Sequence, residues 1–253
     1  MTPQAPGLVR TAVGTPYVGT SGFAYEEWRN DFYPEGLSPR RMLRHYASVL
    51  ASVEINYTFR RLPSEAVIAR WRAETPAEFR FTLKAYQRIT HYKRLEGTAG
   101  DVAEMVGAAT GLGDRLGTIL FQLPPTLKFE PTRLERFLAE LPEGPGSPRY
   151  ALEVRHASWA VPEVAQALSA RGVALCGSET EAAALADIPV TAGHVYLRLR
   201  RESYSARALA AWARRIRPLL DEGRDVFCYF KHEGGGAGAA YALGLRKRLA
   251  RRR

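Results

Sequence analysis

Residues Tyr150–Trp159 read YALEVRHASW, an apolar run that ends abruptly in charge and imidazole. Read as a strand, its side chains alternate in direction. Tyr150, Leu152 and Val154 then share an apolar face, while Ala151, Glu153 and Arg155 share the other. His156 falls where the strand breaks into a loop. An acid and a base are costly to bury there unless they pair or serve a ligand. A Glu–Arg pair closing a core would account for this strand alone. Several other strands, however, end the same way.

Outward from this stretch, short β-like runs alternate with longer amphipathic segments. Strands are predicted at Tyr17–Ser21, Val53–Phe59, Phe79–Lys84 and Thr118–Leu123, then at Tyr150, Val173–Gly177, His194–Arg200 and Asp225–Lys231. Helices are predicted at 38–50, 63–74, 98–111, 131–141, 161–171, 206–222 and 239–252. Ser38-Pro39 and Pro63-Ser64 supply start signals. Eight strand-then-helix units in this length predict an α/β fold, a single-domain TIM-type (β/α)8 barrel. An open doubly wound sheet is the rival, but no glycine fingerprint follows the first strand. The expected organisation is an N-terminal extension over 1–16, a barrel over 17–245 and a basic tail over 246–253.

Composition narrows the function classes. No run approaches the roughly 18 apolar residues of a membrane span. The first residues lack the apolar core of a secretory signal, so a cytoplasmic location without a membrane partner is expected. Cys176 and Cys228 lie in apolar runs without CxxC spacing and read as buried, reduced residues. The Gly234–Gly238 run carries no GxGxxG or Walker lysine, so no nucleotide cofactor is expected. The net charge is +10, of which Arg246, Lys247, Arg248, Arg251, Arg252 and Arg253 supply six. Such a tail can bind phosphate backbones or simply end a solvated helix.

In a barrel, active sites form where the C-terminal strand ends meet. With the more polar register inside, those ends carry Glu54 and Asn56, Lys84, Gln122, Glu153 and Arg155, Arg198 and Arg200, and Tyr229 and Lys231. A structural core would favour Val, Ile and Leu there. The mouth keeps a positive excess even with both acids paired, which points to a phosphate or carboxylate ligand. His91, His156 and His232 follow strand ends and are candidates for proton transfer; His45 lies on a helix. Glu54, Glu153, His91, His156 and His232 suit a divalent metal by type, but the surrounding cations and the lack of HxxxH spacing disfavour one. Tyr25, Trp28, Trp159 and Tyr204 either stack on a ligand ring or pack the mouth.

These residues fall into recurrent motifs. Val18-Gly19-Thr20-Ser21-Gly22 with Trp28 and Phe32-Tyr33-Pro34 comes first. Val53-Glu54-Ile55-Asn56 with Thr58-Phe59 and Leu62-Pro63-Ser64, Phe79-Arg80-Phe81 to Lys84, and Ile89-Thr90-His91 follow. Phe121-Gln122-Leu123-Pro124-Pro125, Glu153-Val154-Arg155-His156 with Ser158-Trp159, and Tyr196-Leu197-Arg198 complete the set. From Tyr17 to its end the chain resembles the YecE-like family, the domain of unknown function number 72. The resemblance implies a TIM-type barrel and no particular reaction. Lys231-His232-Glu233 and Tyr57 depart from the asparagine-rich and small polar residues common there.

Three functions are compatible with this reading. The leading one is an enzyme acting on an anionic small molecule, with Arg155, Arg198 and Lys84 holding the anion, Glu153 or Glu54 as base and His156 as acid. Asn56, Gln122, His91, Trp28, Trp159, Tyr229 and Lys231 would line its site. The others are a nucleic-acid binder or endonuclease-like barrel using the basic mouth and tail, and a non-catalytic ligand-binding barrel. Oligomeric state is not encoded in any motif.

Overall fold

The computed structural model describes residues 13–231 and 235–250. Nine parallel strands form one sheet: β1 (Pro16–Ser21), β2 (Ser52–Ile55), β3 (Arg80–Lys84), β4 (Leu116–Gln122), β5 (Arg149–Glu153), β6 (Ala174–Leu175), β7 (Gly177–Thr180), β8 (His194–Arg200) and β9 (Asp225–Phe230). Seven α-helices form among the described residues: α1 (Pro39–Val49), α2 (Glu65–Glu74), α3 (Ala99–Thr110), α4 (Pro131–Glu140), α5 (Pro162–Ala170), α6 (Ala206–Asp221) and α7 (Ala237–Ala250). β1 pairs with both β2 and β9, so the sheet curls round on itself. β6 pairs with β5 and β7 with β8, the two being halves of one stave broken at Cys176. The result is a nearly closed TIM-type barrel.

Local chemistry fixes the helix starts. Ser64 Oγ accepts the Val67 N–H and Ser205 Oγ that of Ala208, at 3.4 and 3.2 Å. The Glu130 carboxylate accepts the N–H groups of Thr132 and Arg133 at 2.9 and 2.6 Å, ahead of Pro131 at the first helical position. Outward-facing residues of the strands, such as Val18, Val53, Phe81, Ile119, Leu152, Leu197 and Phe230, pack under the helices as the main core. The inward residues form a smaller cluster that includes Tyr17, Leu120, Ala151, Tyr196, Phe227 and Tyr229.

The structure departs from the sequence reading in three places. β2 ends at Ile55 rather than Phe59, because Asn56 adopts helical dihedrals and Tyr57–Phe59 forms a 3-10 turn. Thr58 fastens that turn by donating to the carbonyls of Ile55 (3.0 Å) and Lys84 (2.7 Å). Strand six continues past Gly177 to Thr180, but only after its break. Its unit also lacks a helix: residues 181–193 cross the outside of the barrel as a loop. The Thr191 hydroxyl stands in for a neighbouring strand, accepting from Leu175 N–H and donating to Val173 O, both at 2.7 Å. Gly177 makes room for the loop, since a Cβ there would lie 2.8 Å from Leu185 Cδ2. Arg215 of α6 ties the loop down through the carbonyls of Leu185 (2.8 Å) and Ala186 (2.9 Å).

The barrel interior is layered. At its N-terminal end, Tyr17 and Phe227 stack at 4.8 Å, flanked by the guanidinium groups of Arg80 and Arg149. His194 closes this end as a neutral imidazole, its pKa pushed down to about 4 by burial and the Arg149 charge. Above this, Tyr46 reaches in from α1, accepting from Thr20 N–H (2.8 Å) and donating to Ser52 O (2.9 Å). Gly19 is required at this crossing, where a Cβ would fall 1.8 Å from Ser52 O. Tyr229 fills the middle, its hydroxyl bonded to Ser52 Oγ (2.6 Å) and Thr82 Oγ1 (2.8 Å). Tyr229→Phe leaves two buried hydroxyls short of a partner and is expected to lower stability by about 1–2 kcal/mol, read from the urea midpoint at unchanged slope.

Candidate active site at the barrel mouth

Above Tyr229 the interior turns ionic. Arg198 of β8 lies between two carboxylates: its Nη2 donates to Glu54 Oε1 of β2 at 2.8 Å and its Nη1 to Glu153 Oε2 of β5 at 2.5 Å. The side chains of Arg198, Glu54 and Glu153 are 3%, 0% and 2% exposed, so all three charges are desolvated. Such a triad holds only if its remaining lone pairs are satisfied. Glu54 Oε2 accepts from the Tyr196 hydroxyl at 2.6 Å, and Oε1 also accepts a short bond from Ser21. Asn56 braces Ser21 by donating to its Oγ at 2.9 Å.

Glu153 is surrounded by positive charge. Its Oε1 is shared by Arg155 Nε at 3.2 Å and Arg200 Nη1 at 3.4 Å. Burial opposes the Glu153 carboxylate, but the guanidinium groups of Arg198 and Arg155 outweigh it and hold the pKa below the ordinary value. Burial likewise works against Arg198, and Glu54 and Glu153 more than compensate. Arg200 shows the opposite balance: burial and the Arg198 charge lower its pKa despite its distant pairing with Glu153. Two carboxylates, Glu54 and Glu153, cannot neutralise the three guanidinium groups of Arg155, Arg198 and Arg200. The Nε atoms of Arg198 and Arg200 are also buried without an acceptor among the described residues.

Beside this network stands Lys84, at the end of β3. Its Nζ lies 4.1 Å from the centre of the Phe59 ring and forms no hydrogen bond or ion pair among the described residues. Burial, then the Arg198 charge, brings its pKa down to about 8. His91 also packs against Phe59 in a T-shaped contact, ring centres 4.8 Å apart, and its Nδ1 is 2.8 Å from Thr90 Oγ1. Burial and the charges of Lys84, Arg155 and Arg94 lower the His91 pKa, favouring the neutral ring. His91 rides on a π-helical turn, Arg88–Tyr92, an element frequent at functional sites. Asp101 of α3 braces that turn through Arg88 (3.2 Å) and Lys93 (2.6 Å). Arg94 and Leu95 follow with φ of +52° and +69°, conformations that side chains adopt at a cost.

The other residues singled out in the sequence take different places. Gln122 is buried, donates to Leu123 O at 3.1 Å and is the register partner of Glu153. Tyr229 lies below the charges. Trp28 and Trp159 are buried in the shell outside the barrel, Trp159 donating to Leu127 O at 2.8 Å. Neither offers a free face to a ligand. His156 caps the Ala157–Trp159 turn by accepting the Ser158 N–H at 3.1 Å. Lys231 is half-buried just past β9, and His232 lies outside the described residues. Among the described residues no three His, Cys, Asp or Glu side chains come together as a metal-ligand set. Ser21, Tyr196 and Phe59 were not predicted as site residues. Tyr196 was within reach, two residues before Arg198 and so on the same face of β8.

Two larger cavities among the described residues lie away from the mouth. One of about 600 Å³ lies between α2 and α3, and one of about 500 Å³ at the N-terminal end of the barrel. A pocket of about 180 Å³, lined by Gly22, Phe23, Tyr25, Ile55, Asn56 and Tyr57, opens beside Asn56 at the mouth. The charged cluster outweighs volume as a guide to the site, because buried ionic groups are retained at a cost that plain packing does not require.

Comparison with known proteins agrees with this architecture. The family model described as "Protein of unknown function DUF72" matches residues 17–253. The chain belongs to the DUF72 family. All the mouth residues named above fall in the matched span. UPF0759 protein YecE of Escherichia coli K12 is 36% identical over 114 residues, 45% of this chain and 41% of YecE. UPF0759 protein YunF of Bacillus subtilis 168 is 28% identical over 152 residues, 58% of this chain and 52% of YunF. The matched stretches thus span about half the length of these relatives or less. A DUF72 family protein of Thermotoga maritima MSB8 superposes with a TM-score of 0.79 at 25% identity, covering 94% of this chain and all of that one. A DUF72 family protein of Enterococcus faecalis V583 gives 0.76 at 18% identity, covering 94% and 97%, and speaks to the fold alone. No described helix is long and apolar enough to cross a membrane.

Proposed function

We propose that this DUF72 chain is an enzyme acting on a small anionic molecule, phosphorylated or carboxylated, at the mouth of the barrel. The observation that carries the reading is that Glu54 and Glu153 face three guanidinium groups, those of Arg155, Arg198 and Arg200, which leaves one positive charge over. An incoming anion would supply the missing negative charge and acceptors for the outer guanidinium groups. Arg155 and Arg200, the more accessible pair, hold it. Arg198 is a positioning residue, locked between Glu54 and Glu153. Those carboxylates are engaged in ion pairs, so proton transfer passes to His91, neutral and adjacent to Lys84. Arg155→Ala and Arg200→Ala are each expected to weaken binding of the preferred anion roughly tenfold, about 1.4 kcal/mol. A melting-temperature panel of inorganic phosphate, sugar phosphates and carboxylates measures this. Equal shifts in wild type and both variants would remove the basis of the reading.

A second reading, nucleic-acid binding, draws on Tyr57 and Tyr92, which stand 45% and 68% exposed just after β2 and β3. Exposed aromatics beside a cationic groove suit base stacking. A steep fall of oligonucleotide affinity with salt, retained after removal of residues 246–253, would favour it over the first.

A further inference from the structure

The chain has five lysines, Lys84, Lys93, Lys128, Lys231 and Lys247, among 36 basic residues. Within the mouth, every ion pair to Glu54 or Glu153 among the described residues is made by arginine. Lys84 stands apart, its amine on the face of Phe59 and bonded to no carboxylate there. A guanidinium cannot lose its proton in a protein, whereas an amine can become a nucleophile when desolvated or placed beside other cations. Both conditions meet at Lys84. The charges that act on it come from Arg198 on β8, Glu54 on β2, Glu153 on β5 and Arg155 just beyond it, while His91 feels its charge in turn. Its backbone is fixed, with Thr58 Oγ1 donating to Lys84 O at 2.7 Å and the next amide, Ala85 N–H, donating to Leu120 O at 2.8 Å. The amine is therefore aimed by the barrel wall.

We propose that Lys84 Nζ condenses with an aldehyde or ketone borne by the anionic molecule, so that the substrate class is a phosphorylated or carboxylated carbonyl compound. This rests on the anion-binding reading above and deepens it. The nitrogen lone pair bonds to the carbonyl carbon while the C=O π pair moves to oxygen. A proton passes from nitrogen to that oxygen, giving a carbinolamine. Loss of the hydroxyl as water, with one proton taken from solvent, leaves a protonated imine. That cation withdraws electrons from the adjacent carbon, where the neutral ring of His91 can accept a proton. Arg155 and Arg200 anchor the anion and leave the amine free to react.

The test treats the full chain with pyridoxal 5′-phosphate as an anionic aldehyde probe, reduces with sodium borohydride, and maps the adduct over the five lysines. Pyridoxal, lacking the phosphate, is run in parallel. The expected result is an adduct at Lys84 formed at least tenfold faster than at any other lysine. Its rate should rise with a midpoint near pH 8, where this amine loses its proton, and fall on addition of inorganic phosphate. Lys84→Arg should abolish it. Labelling spread evenly over the lysines, or centred on Lys231, would overturn the proposal without need of any variant. A stabilising shift by the phosphorylated probe with no reducible adduct would overturn the amine and leave anion binding standing. Equal labelling of Lys84 by both probes, unaffected by phosphate, would support the amine and sink the anion reading.

Discussion

Arg198→Met is expected to lower stability by about 3–5 kcal/mol, since breaking a buried ion pair strands its partners without a counter-charge. Glu54 and Glu153 both lose their innermost guanidinium in this variant. Urea unfolding at pH 7 measures the loss directly. Its pH dependence carries a further signature. In the wild type the Glu153 pKa lies below its ordinary value, so its stabilisation is present above about pH 4.5 and is lost as pH falls through the depressed folded value. In the variant the largest opposing charge is gone and burial dominates. The gap between the proteins should therefore narrow on acidification. Adding Glu153→Gln to Arg198→Met should restore part of the stability, because a neutral amide is less costly to bury than an unpaired carboxylate.

Lys84→Met is expected to act in the opposite direction, raising stability by about 2 kcal/mol at pH 7. The full shift from 10.5 to about 8, at about 1.4 kcal/mol per unit, would give more; the partly exposed side chain reduces it. A lowered amine pKa means that the folded state disfavours the charged form. That penalty is complete below pH 8 and disappears as pH rises from about 8 towards 10.5. Melting temperatures of both proteins at pH 7 and above 10.5 should thus differ and then converge. A gain independent of pH would show that packing against Phe59, rather than charge, is responsible. A residue whose removal stabilises the fold is held there for another reason, which links this measurement to the imine proposal.

The sequence made most of the barrel legible because its staves obey a local rule. Each outward face is apolar, and each inward face turns polar near its C-terminal end, as Glu153 and Arg155 do after Ala151. What escaped local reasoning depended on residues distant in the chain. Val53–Phe59 looks like one strand, yet Thr58 folds it over by bonding to Lys84, 26 residues away. The π turn at Arg88–Tyr92 depends on Asp101, whose pairing with Arg88 and Lys93 no periodicity announces. In the site, alternation places Glu54 and Arg198 inside the barrel, but their bond spans 144 positions. Composition alone therefore assigns Arg198 to a ligand when its donors already hold two carboxylates. Trp28 and Trp159 follow strand ends as a rim residue would, and only their burial shows that they serve packing.

The stretch 181–193 gives the barrel a thin side. Elsewhere the wall is covered by a helix. Here Leu185 and Pro189 rest on Gly177 itself, pinned by Arg215. Chain added within this crossing would displace no helix from the ring, and each doubling of the loop costs only about 0.6 kcal/mol of closure entropy. This flank is thus the part of the ring that can take added chain while the staves bearing Glu54, Glu153 and Arg198 keep their register.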